Sequence, residues 1–123
     1  MQVKYTNAKI YQTAKDVQAA FGEEKTYFPV KFNYYFIKNI KKLESLIEEI
    51  EAARTDIISH YALVQGDKYQ FKSQEDLDKA NKEINELFAL EQELEIAKVD
   101  LSVIEEINLN MEQMEAIMFM IKE

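Results

Sequence analysis

Glu44, Glu48 and Glu51 follow one another at steps of four and three, the spacing that sets side chains along one flank of a helix. A row of carboxylates at that pitch is a fixed patch of negative charge. Its chemistry is recognition: it can imitate the phosphates of a nucleic acid, occupy a basic surface and steer association. These three are the candidate binding residues. In a chain with 23 Asp and Glu, a plainer reading applies to them as to Glu83 and Glu86, that of a solvated helix face.

Bond-making chemistry finds few parts. The chain has one histidine, His60, and no cysteine. Ser45, Ser59, Ser73 and Ser102 fall on expected helix faces or caps, without the glycine-rich elbow that presents a serine nucleophile. Ser45, Ser59 and His60 are therefore expected to be non-catalytic. His60 belongs to the last turn of a helix, where an imidazolium meets exposed carbonyls favourably. A di-iron type site draws acids from facing helices together with Glu-x-x-His motifs, and the sequence contains none. Glu91, Glu93 and Glu95 could gather a hard cation through oxygen alone, as an adventitious guest. No cofactor and no resident metal is expected, and the chain is not read as an enzyme.

The stretch Lys31 to Lys42 interleaves lysines with Phe32, Tyr34, Tyr35 and Phe36, a composition that binds single strands through phosphate contact and stacking. Against this, the chain holds one arginine, Arg54, and no glycine-rich phosphate loop, and an acidic run comes directly after. The stretch is read as the amphipathic start of a helix whose aromatics fill the core. Arg54 either pairs a carboxylate while burying its stem or marks a contact with a partner.

Charge is distributed unevenly. Residues 1–42 hold eight Lys against three acids, a balance of +5, and residues 43–123 hold seven basic against twenty acidic side chains, a balance of −13. The net charge of −8 argues against general attraction to nucleic acid or anionic lipid, since both rely on basic side chains. A protein with a basic surface is the expected partner, with no direct nucleic acid and no membrane. Without cysteine the chain has no disulfide framework and suits a reducing compartment. No apolar run is long enough to span a bilayer, and the first residues lack the apolar core of a signal peptide, so a soluble protein is expected.

Two Gly and one Pro in 123 residues favour long helices. A first helix is predicted over 7–21, capped by Thr6 or Asn7, with Ile10, Ala14, Val17 and Phe21 inward and Gly22 closing it in a left-handed conformation. Glu23–Phe28 is a linker, and Pro29 suits the first turn of a second helix. That helix, over 30–62, would be about 50 Å long at 1.5 Å per residue. Its heptad seam runs Phe36, Ile40, Leu43, Ile47, Ile50, Arg54, Ile57 and Tyr61, with Ile37, Leu46 and Ile58 as flanks that suit a bundle. A hairpin over 63–72 turns at Gly66-Asp67. A third helix over 74–92 starts at Ser73, and alternation across Glu93–Val99 suggests a strand that would protect the hairpin. Asp100 or Ser102 caps a short turn to Ile107, and Asn110 caps a last helix within 101–122. Met111, Met114, Met118 and Ile121 share a face there assigned to the core, with Met120 outside it. The fold class is α+β, mainly helical, in one domain.

The order Phe28-Pro29-Val30-Lys31, Lys38-Asn39-Ile40-Lys41-Lys42-Leu43-Glu44, Glu51-Ala52-Ala53-Arg54, a Tyr/Phe hairpin, Glu93-Leu94-Glu95-Ile96 and a Met- and Ile-rich end resembles a family of small phage and prophage proteins of low-GC Gram-positive bacteria. The resemblance spans most of residues 28–123, and its motifs are short. It implies a phage origin and the host cytoplasm, and carries no catalytic residues. With the charge pattern it suggests a non-enzymatic inhibitor of a host defence complex, of the anti-CRISPR kind, whose partner would be a nucleic-acid-guided nuclease. The alternative is a structural or assembly accessory protein that forms a homo-oligomer or docks on a virion protein. Monomer and homo-oligomer stay open.

Overall fold

The computed structural model describes residues 1–22 and 28–122. In chain order these form β1 (Gln2–Thr6), α1 (Asn7–Phe21), α2 (Val30–Tyr61), β2 (Ala62–Gln65), β3 (Lys68–Phe71), α3 (Gln74–Ala89) and β4 (Glu91–Glu95). A 3-10 turn (Leu101–Ile104), α4 (Met111–Ile117) and a second 3-10 turn (Met118–Met120) complete the order. The fold is mainly helical α+β. The linker expected over Glu23–Phe28 lies outside the described residues except for Phe28, which is buried.

Helix starts obey local chemistry. The Thr6 hydroxyl accepts from the Lys9 amide at 3.1 Å, the Ser73 hydroxyl from the Asp76 amide at 3.2 Å, and Asn110 and Gln113 form a reciprocal capping box. Each pairs an amide that a helix N-terminus leaves free, a contribution of about 1 kcal/mol. Pro29 sits one residue earlier than expected, as the N-cap of α2. Gly22 also departs from expectation. It is right-handed (φ −66°, ψ −27°), and a Cβ there would run into the Gln18 carbonyl oxygen, so close approach favours glycine rather than a left-handed φ. At Gly66 φ is +60°, and the two-residue turn sets Gln65 opposite Lys68, as hairpins with glycine in the first turn position do.

The helix expected over 30–62 is α2, 32 residues long. Its buried line is Phe32, Asn39, Leu43, Leu46 and Ile50, rotated from the expected seam. Phe36, Ile40, Ile47, Arg54, Ile57 and Tyr61 are only half-buried. The rotation has a cause in the aromatic cluster at the start of α2. Phe21, Phe28, Phe32 and Phe36 stand with ring centroids 4.7–5.9 Å apart, and Phe32 occupies the innermost place. Edge-to-face and tilted rings at such distances add about 0.5–1.5 kcal/mol per pair beyond burial.

The strand read over Glu93–Val99 is β4, and it takes a different partner from the one expected. It pairs antiparallel with β1, Gln2 opposite Glu95 through Thr6 opposite Glu91, while β2 and β3 form a separate two-stranded sheet. The helix expected over 74–92 accordingly stops at Ala89. Asn7 holds that end. Its backbone amide donates to the Leu90 carbonyl at 2.9 Å, its side-chain amide donates to the Leu87 carbonyl at 2.7 Å, and its carbonyl oxygen accepts from Gln92 at 2.6 Å.

Beyond β4 the chain is tied to α2 by Asn39, which is 1% exposed. The Asn39 side chain donates to the Ala97 carbonyl and accepts from the Ala97 amide, both at 2.9 Å. A parallel bridge then joins Val99 to Ile121. The methionine face is only partly as expected. Ile121 is buried and Met114 packs half-buried against the core, but Met111 and Met118 are exposed and Met120 is fully buried; α4 ends at Ile117, and the tighter 3-10 turn shifts the phase of Met118 and Met120 after it.

Two stability measurements check this packing. Leu43→Ala should cost about 2–5 kcal/mol in urea unfolding, and Ile47→Ala clearly less, since Ile47 lies beside the buried line; equal losses would return the seam to its expected position. Asn39→Ala should cost about 1–3 kcal/mol for each Ala97 group left unpaired, read as a drop in melting temperature, and an unchanged melting temperature would show the clasp to be energetically idle.

Candidate functional site

α1 lies across the first half of α2, and the two helices leave a groove of roughly 600 Å³ between them. Its floor is apolar: Ala14, Val17 and Phe21 from α1 meet Phe36, Ile40 and Ile47 from α2. Glu44 and Glu48 line one side, and Gln18 and Gly22 the other. Both glutamates are exposed. An apolar floor beside fixed negative charge suits an amphipathic basic segment, whose apolar side chains leave water as its cations meet the carboxylates.

The three candidate carboxylates separate here. Glu44 and Glu48 stand on the groove. Glu51 is half-buried and committed to the protein itself: it accepts a short hydrogen bond from the Tyr11 hydroxyl and lies 3.7 Å from the Arg54 guanidinium. Arg54 thus makes the intramolecular pair that was one of its two expected roles, half-exposed rather than sunk in a seam. Burial, and then the hydrogen bond and charge of Glu51, push the Tyr11 hydroxyl well above its ordinary value of 10.0, with Arg54 opposing. The Tyr11 ring packs on Phe88 at 5.2 Å, so one side chain links α1, α2 and α3.

The other residues weighed for chemistry lie apart. Ser45, Ser59 and His60 are exposed on α2, with the His60 ring edge-on to Tyr61 at 4.7 Å. Glu91, Glu93 and Glu95 are exposed along β4, and Glu95 is 2.6 Å from the Met1 amino group. Among the described residues there is no group of three or more His, Asp or Glu that could hold a metal ion. None of their helices is long and apolar enough to cross a membrane. In the run from Lys31 to Lys42, Phe32 is buried and Tyr35 and Phe36 half-buried, but Tyr34 points outward at 64% exposure.

Sequence reasoning missed the groove floor, because Phe21, Phe36, Ile40 and Ile47 carry the same helical spacing as core residues. The signal that could have found it is the surplus. The apolar stripe of α2, flanks included, is broader than the buried line of a single helix packed on one side.

Comparison with protein-family models, with curated proteins and with solved structures finds no match to this chain.

Tyr11 yields a pH outcome. Its folded pKa is raised above the unfolded value of 10.0, so its contribution is complete below about pH 10 and is lost as pH rises towards the folded pKa. Tyr5 shifts the same way through burial, and Tyr61 through the neighbouring Glu83 carboxylate and then burial. Melting temperature should therefore fall as pH rises above about 10, and Tyr11→Phe should fall less steeply. Identical slopes for the two proteins would remove Tyr11 from the account.

Proposed function

We propose that this chain is a non-enzymatic binding protein that takes a basic, amphipathic surface of a partner protein into the groove between α1 and α2. One observation carries the reading: two exposed carboxylates, Glu44 and Glu48, border an apolar groove on a molecule of net charge −8. The half-buried apolar floor offers further hydrophobic burial, and the glutamates give the site its sign.

In its full form the proposal is a phage-encoded inhibitor of a host defence complex, of the anti-CRISPR kind. The groove side of the molecule would cover the basic channel that a nucleic-acid-guided nuclease keeps for its strand. Occupying such a channel requires stoichiometric contact and negative charge, and needs no catalytic residue.

The test joins capture with charge reversal. The protein is used to pull partners from a low-GC Gram-positive host lysate, and association is then measured at rising salt. The rate should drop steeply past about 0.1 M, where the Debye length is near 10 Å. Reversing Glu44 and Glu48 together to Lys should slow association about tenfold or more while the melting temperature stays in place. Glu51 is left intact because its reversal would disturb Tyr11 and Arg54. If the double variant captures the same partner at the same rate and with the same salt dependence, the groove is not the docking site.

A further inference from the structure

The outward face at the start of α2 is uncovered by the described elements. Val30, Tyr34 and Ile37, at steps of four and three, are 80%, 64% and 44% exposed. The same side of the helix continues through Lys38, Lys41, Ser45, Glu49, Ala52 and Asp56, all exposed. Its charge changes sign half-way. Residues 30–42 carry Lys31, Lys38, Lys41 and Lys42 and no acid; residues 43–61 carry Glu44, Glu48, Glu49, Glu51 and Asp56, and their one arginine lies beside Glu51.

A helix face whose charge reverses at its midpoint is complementary to itself when the second copy runs antiparallel, and repels itself when it runs parallel. We propose that this face is a two-fold interface with a second copy of the chain, α2 against α2 in antiparallel register, with Ser45 on the axis. In that register Lys41 meets the partner's Glu49, a pair that occurs twice by symmetry. Tyr34 reaches the partner's Asp56. Ile37 lies over the partner's Ala52, and the small side chains at Ser45 and Ala52 let the helices approach. Lys38 falls between the partner's Glu49 and Asp56, while Glu95 of its own chain is also close enough to feel its charge. A nucleic acid drawn to the same lysines would run onto Glu49 and Asp56, so the second half of the face argues against it. The interface lies on a different side of α2 from the Phe36, Ile40 and Ile47 floor, and it does not depend on the groove reading.

Sedimentation equilibrium over a concentration series tests it. The unmodified protein should show a monomer–dimer equilibrium. Lys41→Glu should raise the dissociation constant about tenfold or more, because like charges then face each other twice. Adding Glu49→Lys to Lys41→Glu restores opposite charges and should recover most of the loss. The chain has no cysteine, so Ser45→Cys introduces a single thiol on the axis. It should oxidise to a disulfide-linked dimer much faster than a control thiol at Ser102→Cys, an exposed site away from the face. A protein that stays monomeric, with Ser45→Cys oxidising no faster than the control, overturns the proposal. So does a Lys41→Glu variant that dimerises unchanged, or a monomer that retains a labelled single-stranded oligonucleotide through this face.

Discussion

The amide of Asn39 stands in the middle of the apolar face of α2, where an unpaired polar group would cost several kcal/mol. It is tolerated because the backbone of Ala97 presents a donor and an acceptor at matching distances, as a neighbouring strand would. The pairing works in both directions. It satisfies the amide and pins the chain just after β4. From that point Val99 bridges to Ile121, Met120 closes over the Asn39 side chain, and the preceding strand is presented to β1. Asn7 does the equivalent task at the other end of β4, so two buried asparagines hold one five-residue strand in register.

With the two-stranded sheet set in this way, α1 has little freedom. It leaves β1 directly at Thr6 and must cross α2 at the angle that the sheet allows. The Tyr11–Glu51 hydrogen bond and the Phe21 contacts with Phe28 and Phe36 fix its two ends. Between those fixed points the helices do not close completely, and the groove is what remains. Its apolar floor is thus a product of the packing geometry, coupled through Glu51 to the same helix that carries the exposed carboxylates.

Local signals were the legible part. The caps at Thr6, Ser73 and Asn110 and the turn at Gly66 depend on residues within a few positions of each other, and each lies where its side-chain chemistry requires. The mainly helical α+β class comes from them and from the helical spacing. Features decided by distant partners escaped. Nothing in Gln-Val-Lys-Tyr-Thr announces a strand whose mate lies at residues 91–95, and β4 could be assigned to the hairpin because both were short and alternating. The α2 seam was counted from a regular repeat, but the aromatic cluster rotates it towards Phe32 and Leu46. Of the candidate carboxylates, helical spacing placed Glu44 and Glu48 on one flank correctly. It could not show that Tyr11 and Arg54 would claim Glu51.

The pairing of β1 with β4 also sets an order of events during synthesis. β1 emerges first and waits, with its backbone groups unpaired, until residues 91–95 have been made. Through that interval α1 and α2 can form from local contacts, whereas the sheet must close a loop that takes in most of the chain. An unpaired strand held open for so long is an aggregation hazard. Its outer positions are polar: Gln2, Lys4 and Thr6 alternate with Val3 and Tyr5, and Lys4 places a charge at the centre of the waiting edge. Because β1 and β4 make a sheet of only two strands among the described residues, β1 keeps one free edge in the folded protein as well, and the exposed Lys4 blunts it in both states.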